Sequence, residues 1–147
     1  MKRTLPPAYF FRAIVLSVAL HFLLPLRQLL VFPWRLIGLA PLLVGIVLNL
    51  LADQTFNKHN TTVKPFETSS ALITGGVFGI SRNPMYLGMT LILLGIAAFL
   101  GSATPFAAAP VYAISIDRSF IIPEEQMLVE TFGDRFREYR ERVRRWI

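Results

Sequence analysis

From Asn83 to Ile116 the chain reads NPMYLGMTLILLGIAAFLGSATPFAAAPVYAISI, 34 residues without one charged side chain. As a single helix this stretch would be about 51 Å long, well beyond a hydrocarbon core of about 30 Å. The break falls at Gly101-Ser102-Ala103-Thr104-Pro105. Glycine and proline interrupt a helix there, and the small polar residues tolerate a turn. A helical hairpin is therefore predicted, with arms over 84–100 and 105–122. It brings Asp117 and Arg118 to the membrane's edge, where charged side chains either serve function or merely reach for the interface.

Upstream lie two further apolar runs. The first predicted span covers about 9–30, and a turn at Phe32-Pro33 leads to a second over 36–52. Lys2, Arg3 and Arg12 before the run from Ala13 to Leu26 superficially resemble a signal peptide. No small-residue cleavage site follows His21, so this segment is read as a retained helix. The result is an all-α integral-membrane bundle of about four transmembrane helices, one domain over 1–147.

Composition agrees. The chain is 54% hydrophobic and 16% charged, with a mean hydropathy of +0.53, whereas soluble domains carry about 25% charged residues. The net charge of +6 does not point to nucleic acid, because 6 of the 15 basic residues lie between Arg135 and Arg145 and most others flank apolar runs. The N-terminal stretch, the 53–83 loop and the tail hold 13 of the 15. Lys and Arg concentrate on cytoplasmic segments, so both termini are expected in the cytoplasm of an inner or plasma membrane. With no cysteine, and with His21 and His59 far apart, no metal site is expected.

After Pro123, the residues Leu128, Phe132, Phe136, Tyr139, Val143 and Trp146 recur every three or four positions among arginines and acids. This predicts an amphipathic helix over 124–146, either a lid or an interfacial anchor with its apolar face on lipid.

The 53–83 loop is polar for so apolar a chain, and loops of such length in compact domains are often functional. It holds Leu72-Ile73-Thr74-Gly75-Gly76-Val77-Phe78 and then Ser81-Arg82-Asn83-Pro84-Met85-Tyr86-Leu87-Gly88. Asn83-Pro84 reads as an N-cap and first helical residue, leaving amide groups and a positive dipole end able to hold a carboxylate. Pro123-Glu124-Glu125 reads as a second helix start at the same level. A carboxylate there would pair with an ammonium or accept ribose hydroxyls, so the two starts suit a zwitterionic ligand. Either pair also serves as ordinary helix-start chemistry.

Taken together and in this order, the Leu72–Phe78 stretch, the Ser81–Gly88 box, and Glu124-Glu125 followed by Leu128, Phe132-Gly133 and Tyr139 resemble the isoprenylcysteine carboxyl methyltransferase and phospholipid methyltransferase family, over about Thr61 to Trp146. The resemblance implies a membrane helix bundle without a Rossmann sheet. It also implies a cytoplasmic S-adenosylmethionine pocket covered by the C-terminal segment and left by S-adenosylhomocysteine as product. Cofactor contacts carried over are Ser70, Ala71, Leu72, Ile73, Phe78, Asn83, Pro84, Met85, Tyr86 and Glu124. Arg82, Asp117, Arg118 and Glu125 are positioning candidates, and no catalytic acid or base is assigned. Asn83 stands where the eukaryotic enzymes carry histidine, and Phe120 where they place an arginine one turn before the glutamate, which argues against carrying over the prenylcysteine substrate.

The expected activity is methyl transfer to a lipophilic or membrane-accessible carboxylate, amine or thiol. The bilayer and a lipid-linked substrate are the expected partners, with no nucleic acid and no obligate protein partner. Two other readings compete. One is a non-catalytic membrane subunit or assembly factor that keeps the bundle. The other is a nicotinamide-dependent membrane reductase of the sterol reductase kind, for which the chain is short.

Overall fold

The computed structural model describes residues 5–58 and 71–147. It is helical throughout, and the described residues form no strand beyond an isolated bridge between Gln28 and Ser102.

Helix α1 (Pro6–Leu23) opens on Pro6, whose fixed φ and missing N–H suit a first helical position. It stops at Leu23, short of the expected residue 30, because Leu24 precedes Pro25 and a residue before proline is driven out of the helical region. The chain then runs non-helically past the turn at Gly101-Ser102-Ala103. The Leu29 and Leu30 amides donate to the Gly101 carbonyl at 2.8 and 3.0 Å, and the Ala103 amide donates to the Arg27 carbonyl at 2.8 Å. Gly101 must be glycine twice over: its φ is +83°, and a Cβ there would meet the Leu30 carbonyl and the Gln28 and Arg35 side chains. His21 Nδ1 lies 2.7 Å from Ser102 Oγ, and the Thr104 hydroxyl donates to the Leu20 carbonyl at 3.1 Å. Hydropathy had concealed this turn, because its residues are mostly apolar.

A 3-10 turn (Trp34–Gly38) feeds α2 (Leu39–Lys58). The helix outlasts its expected end at residue 52 and continues through Asp53 to Lys58, so the polar loop begins later than predicted. Helix α3 (Pro84–Leu100) starts at the predicted Pro84 and ends at Gly101, and it touches α1, α2 and α4. Its packing on α2 is set by glycines. A Cβ on Gly38 would strike the Gly95 carbonyl, and one on Gly45 the Gly88 carbonyl, with the reciprocal collisions from Gly95 and Gly88. Each pair is seven residues from the next along both segments, so two antiparallel helices meet backbone to backbone, as small residues allow in membranes.

Beyond a 3-10 turn (Thr104–Ala107) come α4 (Ala108–Ile116), a π turn (Asp117–Ile121) and α5 (Ile122–Phe132) in unbroken succession. Pro123 explains the π turn. Proline lacks an N–H, and its ring collides with the carbonyl four residues back, here that of Ser119. In the wider turn the Ile122 amide reaches instead to the Asp117 carbonyl. The expected free helix start at Pro123-Glu124-Glu125 is thus absent, since α5 continues α4. The single amphipathic helix expected over 124–146 is likewise two, because Gly133 at φ +54° separates α5 from α6 (Asp134–Arg142).

Pro6–Leu23 and Trp34–Lys58 are each long and apolar enough to cross a bilayer; α3, at 17 residues, is the shorter apolar helix. With this composition the chain is an all-α membrane protein.

Candidate active site

Two adjacent carboxyls on the first turn of α5 divide the site between them. Glu124 faces α3, where the Tyr86 hydroxyl donates to its Oε1 at 2.9 Å. Burial pushes the Glu124 carboxyl up to about 7, while the hydrogen bond from Tyr86 pulls the other way. No cation pairs with it among the described residues. Tyr86 also packs on a core cluster built from Leu93, Tyr112, Ile116, Phe120 and Ile121, with Tyr9, Phe10 and Trp146 at its edge. Phe120, one turn before Glu124, is buried edge-on against Tyr9 with ring centres 5.5 Å apart.

Glu125 is the opposite case. Arg82 Nη2 lies 2.9 Å from its Oε1, with only 8% and 10% of the two side chains exposed. Arg145 Nη2 donates to Oε2 at 2.6 Å, and Arg145 also reaches Asp117 at 3.2 Å. Burial lowers the Arg82 guanidinium's pKa against the opposing pull of Glu125. The hydrogen bond to Glu125 raises that of Arg145. Arg82 Nε is buried without a partner, while its Nη1 donates to the Arg140 carbonyl at 3.2 Å.

The positioning candidates Arg82, Asp117 and Glu125 therefore meet in one ion cluster, and Arg118 stands apart, exposed and outside it. Asn83 occupies the N-cap position without capping: its side-chain amide donates to the Arg145 carbonyl at 3.1 Å. Sequence reasoning missed Arg145. It was one of six closely spaced basic residues, and nothing local distinguishes the one that turns inward.

Of the remaining carried-over positions, Ile73, Phe78 and Met85 fall in a second cluster. Ile73, Val77 and Phe78 are buried against Ala52, with Met85 and Phe56 packed beside them. The Phe56 and Phe78 rings meet edge-on at 5.3 Å. The Ile73 and Phe78 side chains are thus committed to the core, and the Phe78 carbonyl accepts from the Tyr139 hydroxyl at 2.6 Å. Ala71 and Leu72 are half-buried and Pro84 is buried. Ser70 lies outside the described residues. Gly75 and Gly76 differ from the packed glycines of α2 and α3, because nothing lies within 4 Å of where their Cβ atoms would stand. The anchor reading of the last helix is corrected here, for Phe136 and Tyr139 are 1% and 3% exposed and face the protein instead of lipid.

The all-helical membrane architecture, taken with the family match that follows, places the chain among the membrane methyltransferases. The chain belongs to the phospholipid methyltransferase family, which it matches over residues 34–135. It is similar to an uncharacterized protein of Haemophilus influenzae, 36% identical over 63 residues that make up 43% of this chain and 100% of that one. It is also similar to protein-S-isoprenylcysteine O-methyltransferase of Schizosaccharomyces pombe, 32% identical over 75 residues, 49% of this chain and 30% of that protein. The chain thus spans under a third of that enzyme's length.

Proposed function

We propose that this protein transfers a methyl group from S-adenosylmethionine to a lipophilic carboxylate, amine or thiol that reaches the site from the bilayer. The site and both termini lie on the cytoplasmic side, a reading supported by the Lys and Arg distribution.

The observation that carries this reading is Glu124, a half-buried carboxyl held by Tyr86 and left without a cation among the described residues, beside a neighbour that has two. Desolvated carboxyls with a specific partner mark functional sites, and this one fits the ammonium or ribose hydroxyls of the cofactor. Gly75 and Gly76, bare of neighbours, leave room for the cofactor to approach the backbone. Asn83, Pro84 and Met85 complete the proposed contacts, along with the main chain from Ala71 to Ile73 and at Phe78.

When bound, the cofactor supplies an electrophilic sulfonium methyl. Transfer would break its carbon–sulfur bond as the acceptor takes the methyl, with S-adenosylhomocysteine as the leaving product. The chain's own residues contribute orientation and the exclusion of water, which suffice for an in-line displacement. Tyr86 fixes Glu124, and the half-buried Tyr9 and Phe10 at the edge of the aromatic cluster give an apolar acceptor a surface to meet. An amine or thiol acceptor also loses a proton, while a carboxylate does not.

Titration of the detergent-purified protein with S-adenosylhomocysteine and with NADPH tests this, followed by transfer of labelled methyl to extracted lipids. Binding of the first ligand alone, with label in the lipid, is expected. Binding of NADPH alone would favour a reductase, and binding of neither a non-catalytic subunit.

A further inference from the structure

After α6 the backbone turns extended at Val143 (φ −121°, ψ 128°), and residues 143–147 run back across the start of α3. Three kinds of contact hold them. The Arg82 amide donates to the Arg144 carbonyl at 3.0 Å. The Ser81 hydroxyl and the Asn83 side-chain amide both donate to the Arg145 carbonyl, at 3.2 and 3.1 Å. The Arg145 guanidinium bridges Glu125 and Asp117. Trp146 then packs on the cluster of Phe120, Tyr112 and Ile116, where Tyr86 also packs, and Tyr86 is the residue that holds Glu124.

Buried ion pairs add little net stability over apolar packing, and their best-attested use is to fix one arrangement among several. Here the clasp joins the π turn, α5 and the loop before α3 to one extended segment. Without Arg145, Glu125 and Asp117 would lose the partner that draws this segment in, while Arg144, the segment's other arginine, is exposed.

We propose that Arg145 is a positioning residue that seats Trp146 on the cluster that also backs Tyr86, and so holds in place the C-terminal enclosure of the cofactor that the family resemblance implies. The enclosure rests on the cofactor reading above; the seating of Trp146 does not.

The chain has two tryptophans, Trp34 and Trp146, so a Trp34→Phe background makes Trp146 the sole reporter. Its emission is expected to be shielded from acrylamide and to change when S-adenosylhomocysteine is added. Arg145→Gln should expose it, leave helical circular dichroism unchanged and weaken S-adenosylhomocysteine binding by about tenfold, as for a segment docked about a tenth of the time. Arg145→Lys should restore part of both. Equal acrylamide shielding with and without Arg145 would overturn the positioning role without any ligand. Exposure of Trp146 with unchanged ligand affinity would reduce the clasp to structure alone and overturn the enclosure. Failure of the parent protein to bind S-adenosylhomocysteine would overturn the cofactor reading, and the enclosure with it, while the acrylamide comparison still decides the seating of Trp146.

Discussion

Glu124 and Glu125 are neighbours in the chain with opposite surroundings, one against a tyrosine hydroxyl and the other between two arginines. Losing the buried Arg82 would leave the Glu125 carboxylate with only the part-exposed Arg145, and breaking a buried pair typically costs about 3–5 kcal/mol. Glu124, with its carboxyl pushed up to about 7, makes a prediction of definite sign. The folded protein holds this proton more tightly than the unfolded chain, so the ligand-free protein loses stability as pH rises from the ordinary carboxyl range through about 7. The full loss is about 3 kcal/mol. Thermal denaturation in detergent from pH 5 to 8 should show this decline, and Glu124→Gln should flatten it. A ligand ammonium selects the ionised carboxylate, so affinity for S-adenosylhomocysteine should move the other way, rising with pH until it levels above about 7. Both carboxyls were legible in the sequence as candidates; the division between them was not, because it depends on residues some 40 positions upstream and 20 downstream.

The π turn before α5 decides which way these carboxyls point. Pro123→Ala should remove the collision that favours the wider turn and let the same residues form an ordinary α turn, rotating everything beyond it by about 100°, separating Glu125 from Arg82 and Glu124 from Tyr86. Retained helical circular dichroism with loss of S-adenosylhomocysteine binding is the expected result. Between α2 and α3 the glycine register makes a separate prediction. Gly88→Ala should cost about 1–3 kcal/mol, as overpacking does, because the new methyl meets the Asn49 side chain and the Gly45 carbonyl. Gly75→Ala, in open space at φ −101°, should leave the melting temperature unchanged. The α3–α4 hairpin was readable because 34 charge-free residues cannot form one span. The glycine pairing was not, since glycines about 40 to 60 residues apart declare a contact only once the two helices are in register. The end of α1 at Leu23 was signalled by Pro25 but outweighed by the apolar residues that follow.

Across the molecule, a polar face of carboxyls, arginines and an extended segment sits where the start of α3 meets the π turn that leads into α5. The far end is closed by the Gly101 turn and the His21–Ser102 pair. Composition and charge spacing were enough to give the all-α membrane class, because a bilayer admits few chains this apolar for any other reason. They were not enough to show that the last helix buries Phe136 and Tyr139 in protein, since periodicity identifies an apolar face without naming what covers it. On the proposed reading, Glu124 is the carboxyl that holds the cofactor, while Glu125 braces the structure around it. This assignment is tested most directly by calorimetric titration of S-adenosylhomocysteine at pH 8 into the parent protein and Glu124→Gln. The parent should bind, and loss of the charged acceptor should weaken binding by about ten- to a hundredfold with no loss of thermal stability. Equal affinity in the two proteins would contradict the assignment.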